Sequence, residues 1–364
     1  LMVGTLANSA NIDAIKVEGN HPLSGRSSSF DEPLTPTNFN LKTTAASGLF
    51  VQRSRRRLMS LNFDLNENDY VPEDLCVAVP DLNDAGIAGI AVQYQPDMRV
   101  HCWRDDGTVG LMARDRGENV ICWCEIETDG LVEDVSIMPD DVEDRVYYVV
   151  KRTINGSTVR FIEKFALESE CRGNPSAKLA DAFAYYSGAA TTTITGLSHL
   201  NGETIVCWGW NTVSPFTDDE DNIVGRDFGT FTVSGGQITG LPTAVTDAAV
   251  GLAYTAQWKS AKQAFGAAMG TPLNQPKRID HIGLILANTH AKGLKYGPDF
   301  DSLDDMPDYE DEVEVDETRV HFDYDKDMIE FDGEWSTDSR LCLQAQAPRP
   351  CTVLAATVSM TTHG

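Results

Sequence analysis

Cys122-Trp-Cys124 is the one close pair of cysteines in the sequence. Alternate residues of a strand point to the same face, so the two thiols would present half of a four-ligand zinc site. No second pair and no nearby histidine completes it, and Cys76, Cys102, Cys171, Cys207, Cys342 and Cys351 are scattered among strand-forming residues. All eight cysteines are therefore expected to be reduced, most of them in the core. A second constellation places Asp323, Asp325, Asp327 and Glu334 at the first, third, fifth and twelfth positions of a calcium loop. However, Met328 stands where such a loop needs glycine for its sharp turn, and the flanks read as strands. A β-hairpin with a wet acidic face is the preferred reading. The only basic cluster is Arg53, Arg55, Arg56 and Arg57. As a strand it would put Arg53, Arg55 and Arg57 on one face, which fits an exposed face or a salt-bridged contact with acids of a neighbouring subunit better than nucleic-acid binding.

Other catalytic signatures are missing. The sequence has no phosphate-binding loop, nucleophile elbow, zinc-binding helix or dinucleotide fingerprint. The seven histidines (His21, His101, His199, His281, His290, His321, His363) are dispersed, and none can be assigned to a Ser or Cys nucleophile. No catalytic, cofactor-binding or metal-binding residue is expected, and the chain is not expected to be an enzyme.

Acids outnumber bases 55 to 29, for a net charge of −26. Affinity for phosphates comes from clustered Lys and Arg, so this balance argues against a protein that wraps nucleic acid. It suits a surface kept soluble by self-repulsion, or one that DNA must pass without sticking. Acids concentrate at Asp140, Asp141, Glu143 and Asp144, at 218–221 and at 299–317. Such runs are usually solvated loops.

The elements that must carry these residues read as strands. Between 98 and 165, β-branched and aromatic runs alternate with Asp106-Gly107, Asp129-Gly130 and Asn155-Gly156, dipeptides that supply the positive φ of tight turns. Strands are predicted at 98–104, 108–114, 119–126, 131–138, 145–152 and 157–165, forming a meander of the kind that builds propeller blades and sandwiches. A second set begins at 190–194, continues through a buried strand up to Trp208, and ends in a hairpin of 229–233 with 237–239, as in a small barrel. A third set is placed at 250–258, 278–289, 317–324, 334–344 and 352–361. Short helices are predicted only at 72–82 and 258–269. The 364 residues exceed one ordinary domain. No window holds the ~18 apolar residues of a membrane span, and no membrane insertion is expected. Leu1-Met-Val-Gly-Thr5 reads as a strand already under way, so a fragment is expected, with further propeller blades upstream.

The order of several segments resembles the tail nozzle proteins of short-tailed bacteriophages, also called tail tubular protein B or tail hub proteins. Leu1-Met-Val-Gly-Thr5 is similar to that family's strand ending in Val-Gly-Thr, and Phe50-Val-Gln-Arg53 and Asp69-Tyr-Val-Pro-Glu-Asp-Leu75 to its Phe-Val-Gln-Arg and Tyr-x-x-x-Asp-Leu passages. Tyr94-Gln-Pro-Asp97 with Trp103-Arg-Asp-Asp-Gly107 resembles its Pro-Asp, Trp, Asp-Gly hairpin. Val149-Val-Lys-Arg-Thr-Ile-Asn-Gly156 and Arg160-Phe-Ile-Glu163 resemble its Val-x-Arg-x-Ile-Asn-Gly and Arg-Tyr-Ile-Glu pair. His199-Leu-Asn-Gly-Glu-Thr-Ile205 and Val250-Gly-Leu-Ala-Tyr254 are similar to two later strands, with Asn201 in place of Glu and Ala253 in place of Pro. The long acidic stretch from Asp299 has no counterpart. No single segment is a specific motif, and the resemblance rests on their order.

An all-β fold is thus expected, with a β-propeller portion at 1–170, a small β-barrel-like domain at 188–245 and a β-sandwich-like domain at 246–364. The resemblance implies a virion structural protein in the tail, assembled in the host cytoplasm as a homo-oligomeric ring of six that conducts DNA without binding it specifically. It also implies the tail adaptor and tail fibre or spike proteins as partners. The alternatives are a tail-associated adhesin or receptor-binding module, and a propeller hydrolase acting on glycans, which would need paired carboxylates in a groove.

Overall fold

The computed structural model describes residues 42–44, 47–66, 68–115, 117–118, 120–173, 175–264, 272–310 and 312–362. Expectations attached to residues 1–5, His21, His363 and the end of the helix at 265–269 lie outside them. The fold is nearly all β, and the chain divides into two compact units, Leu1–Phe165 and Ala166–Gly364. No described helix is long and apolar enough to cross a membrane.

Unit 1 holds three antiparallel sheets, each a chain-ordered meander. The first contains β1 (Lys42–Thr44), β2 (Ser47–Val51), β3 (Leu58–Asp64) and β4 (Asp69–Asp74). The second contains β5 (Ile87–Gln93), β6 (Arg99–Arg104), β7 (Val109–Asp115) and β8 (Val120–Ile126). The third contains β9 (Leu131–Met138), β10 (Arg145–Ile154) and β11 (Ser157–Lys164). The first strands approach one another, β1 against β5 and β5 against β9. Leu49, Leu58 and Leu75 pack on Ile90, Val100 and Met112 across one face of the second sheet, and Val132, Val146 and Val150 meet Ala91 and Val109 across the other.

Burial on both faces explains why β5, of sequence IAGIAVQ, shows no alternation of apolar and polar residues. Its Gly89 lies under the Trp103 indole, only 2.2 Å from where a Cβ would sit. The six strands expected from 98 to 165 are present, but they do not form one meander. Asn155-Gly156, both at positive φ, closes a two-residue hairpin between β10 and β11. By contrast, Asp129-Gly130 carries the chain from one sheet to the next, so β8 and β9 are not paired. Gly107, at φ 84, turns β6 into β7 beneath Leu131, where a Cβ would lie 2.6 Å from that side chain. The helix expected at 72–82 is absent: β4 ends at Asp74, whose carboxylate accepts the Cys76 amide at 2.8 Å, and a series of turns follows.

In unit 2, β12 (Asp181–Thr191), β14 (Thr204–Trp210), β17 (Arg226–Thr232) and β19 (Val245–Leu252) form a sheet in the order β12-β19-β14-β17. β13 (Thr193–Thr195) pairs with β18 (Gln237–Thr239), and β15 (Phe216–Thr217) with β16 (Ile223–Val224). The strands expected as a barrel hairpin, now β17 and β18, therefore lie in different sheets, and among the described residues no sheet closes on itself. β19 runs across residue 246 and pairs on both sides with strands from 181–210.

The remaining strands build two sheets around one core. β20 (Thr255–Lys259), β22 (Leu294–Gly297), β23 (Asp304–Asp305) and β27 (Cys342–Gln346) run in the order β20-β27-β22-β23. β21 (Lys277–His290), β26 (Val320–Glu330) and β28 (Val353–Thr362) run in the order β26-β21-β28. Between them lie Ile282, Leu284, Leu286, Tyr324, Leu294 and Leu343. β24 (Tyr309–Glu310) and β25 (Val313–Glu314) form a small ribbon.

Candidate functional site

The arginine cluster is a hairpin turn, not a strand. It joins β2 to β3, with Arg55 at φ 62 and the Gln52 amide donating to the Arg57 carbonyl at 2.9 Å. Arg55 pairs with Asp105 at 2.5 Å and donates Nε to the Ile87 carbonyl at 3.0 Å; Arg56 pairs with Asp84 at 3.5 Å and Arg57 with Asp74 at 3.8 Å. These acids belong to the same unit of the same chain. The cluster thus locks a turn to the second sheet and does not offer a stripe of charge to phosphates.

The acidic runs are divided between structural and solvent-facing carboxylates. Asp144 is buried; its Oδ2 accepts the Tyr94 and Gln95 amides at 2.7 and 3.1 Å. Asp140 accepts from Arg145 at 2.8 Å, whereas Asp141 is exposed. Asp218 is buried and accepts the amides of Glu220 and Asn222 at 3.0 and 2.9 Å. Asp219 receives the Arg319 guanidinium through two donors, one of them Nε at 2.7 Å. That guanidinium holds the Asp219 carboxyl below its usual range. Within 299–317, Asp305 pairs with Lys295 at 3.0 Å and Asp308 with Lys292.

Cys122 and Cys124 are exposed on β8, the edge strand of its sheet, while Cys76, Cys102, Cys207 and Cys342 are buried; no two of the eight are bonded. The supposed calcium segment is mostly strand: Asp323, Asp325 and Asp327 project from β26 as exposed residues, and Met328 is a bulge at φ 59. No described group of three His, Cys, Asp or Glu converges as a metal site would.

Three histidines, His101, His290 and His321, are buried, and the first two are held as neutral rings. His101 lies between the Tyr148 hydroxyl, 2.7 Å from Nδ1, and the Gln93 amide oxygen, 3.3 Å from Nε2. His290 accepts the Lys292 amide at 3.1 Å and packs edge-on against Trp208. Burial depresses each to about 4. His199 reaches the Ala182 carbonyl at 3.2 Å, His321 packs edge-on against Tyr324, and His281 lines a cleft in unit 2.

That cleft, about 870 Å³, is the arrangement that sequence reasoning missed. β21 supplies Arg278, Asp280 and His281, β22 supplies Tyr296, β23 supplies Asp304, the end of β26 supplies Glu330 and then Asp332, and β28 supplies Thr361. Strand register places His281 opposite Glu330 and Tyr296 opposite Asp304. Asp280 accepts the Thr361 hydroxyl at 2.5 Å and lies within ion-pair distance of Arg278, 3.1 Å from Nε, without a hydrogen bond between them. The carboxylates of Asp304, Glu330 and Asp332 have no ion-pair or hydrogen-bond partner among the described residues. Tyr296 is 4% exposed and stacks on Phe331, with ring centroids 6.4 Å apart. Burial, then the carboxylates of Asp304 and Glu330, push its phenol up. No local signal marks this site, because its residues come from five separate segments that only strand pairing brings together.

No protein-family model matches the chain, and no curated protein matches it.

Proposed function

We propose that the chain is a virion structural protein, a tail nozzle subunit whose first unit is built from β-propeller blades. The observation that carries this reading is the packing of three successive meander sheets, with β5 between β1 and β9 and the second sheet covered on both faces. Radially stacked meanders whose first strands line the inside are how propeller blades associate. The ordered resemblance to tail nozzle proteins supplies the class, and the net charge of −26 suits a wall that DNA passes without being retained.

In this role the chain forms a homo-oligomeric ring of six in the tail, contacts the tail adaptor and the fibre or spike proteins, and performs no catalysis. Native mass spectrometry of the full chain tests it. Six copies of 39.8 kDa give about 239 kDa. A strictly monomeric species at every concentration would overturn the nozzle reading. The second reading, a tail-associated receptor-binding module, is favoured by the acidic cleft of unit 2 and requires no ring.

A further inference from the structure

We propose that the cleft of unit 2 binds an aliphatic ammonium group, as carried by a polyamine or by a lysine side chain. Three exposed carboxylates, Asp304, Glu330 and Asp332, have no cationic partner among the described residues, and the one guanidinium lining the cleft with them, that of Arg278, lies at ion-pair distance from Asp280. Among them lies the Tyr296 hydroxyl, the polar end of a side chain otherwise removed from solvent and without a hydrogen-bond partner among the described residues. A phenol oxygen held in this way is an acceptor awaiting a donor, and an ammonium brings three. The carboxylates are spread around a volume of about 870 Å³ and no three of them converge, which suits an extended organic cation and not a metal ion. A sugar is disfavoured because Tyr296 and Phe331 stack on each other, both 4% exposed, and offer no open ring face.

Isothermal titration of the full chain with spermidine at low salt tests the proposal. A saturable single site is expected, weakening steeply as salt screens the carboxylates. The double variant Asp304→Asn/Glu330→Gln should weaken binding by about tenfold or more, and Tyr296→Phe, which keeps the stack on Phe331, by about fivefold, the value of one hydrogen bond. Asp141→Asn/Glu127→Gln removes the same charge from exposed positions of unit 1 and should leave binding unchanged. Nα-acetyl-lysine methylamide separates the sources: weaker binding than spermidine assigns a free polyamine, and equal binding assigns a lysine side chain. Absence of saturable binding by both amines, equal losses in the control variant, or tighter binding of calcium or maltose would each overturn the proposal.

Discussion

Arg152 on β10 and Glu163 on β11, whose direct strand partners are Val159 and Tyr148, reach each other along the sheet through two parallel hydrogen bonds, Nε to Oε1 and Nη2 to Oε2, each 2.6 Å long. The guanidinium is 1% exposed, and its Nη1 also donates to the Asp129 carbonyl at 2.6 Å, tying the turn between β8 and β9 to the third sheet. The two residues form a largely buried ion pair, with Arg152 wholly and Glu163 for the most part removed from solvent. Removing one partner of such a pair leaves an uncompensated charge. Arg152→Met or Glu163→Leu should destabilise unit 1 by about 3 kcal/mol, and the double variant Arg152→Met/Glu163→Leu by less than the sum of the two single changes. Urea denaturation of the four proteins checks this; additive losses would show that the pair is not coupled.

The buried histidines set an acid limit on stability. His101 and His290 titrate at about 4 in the folded chain and near 6.5 when unfolded. Their neutral forms thus favour folding fully above pH 6.5. As the pH falls toward 4 the unfolded chain takes up protons that the native chain refuses, and stability drops by about 1.4 kcal/mol per pH unit for each histidine. Below about 4 their contribution is constant. Denaturation measured at half-unit steps from pH 7 to 4 should show this slope, and His101→Gln should remove one histidine's share from unit 1. An unchanged slope in His101→Gln would mean that this ring is not held neutral.

Thiol reactivity should follow depth. Cys122 and Cys124 are exposed, whereas burial pushes the thiols of Cys76, Cys102 and Cys207 up and keeps them protonated. Cys124 is raised by desolvation of its thiol and by its neighbour Cys122, which should therefore react first. Under native conditions two thiols are expected to label within minutes, and all eight in denaturant. Fast native labelling of Cys102 or Cys207 would contradict the packing of these strands.

Where a strand has one wet face and a glycine-containing turn, its limits could be read from sequence: Leu131–Met138 falls at 131–138, and Arg145–Ile154 overlaps 145–152. β5 could not, because both its faces are covered and its small residues carry no period. Nor could sheet membership. Asp129-Gly130 and Asn155-Gly156 look alike as dipeptides, yet only the second joins paired strands, and long-range packing makes that choice. The arginine cluster was visible as charge, but its conformation depends on Arg55 adopting φ 62 beside acids up to 50 residues away.

Structural and purely electrostatic roles are divided between two carboxylates of one acidic loop. Asp144 is buried and accepts three backbone amides, those of Tyr94 and Gln95 through Oδ2 and that of Asp140 through Oδ1 at 3.4 Å. Asp144→Ala leaves the amides of Tyr94 and Gln95 without their acceptor and should cost about 2–3 kcal/mol of stability. Asp141, three residues earlier, is exposed, and Asp141→Lys should leave the unfolding midpoint unchanged while reversing the charge at that point. If this loop faces the channel of a nozzle, six such reversals attract the passing duplex within a Debye length of about 10 Å at 0.1 M salt. Virions carrying Asp141→Lys should then assemble normally and release DNA more slowly at low salt, with the difference vanishing at high salt. Release kinetics identical to wild type at low salt would place the loop on the outer surface, where its charge serves solubility alone.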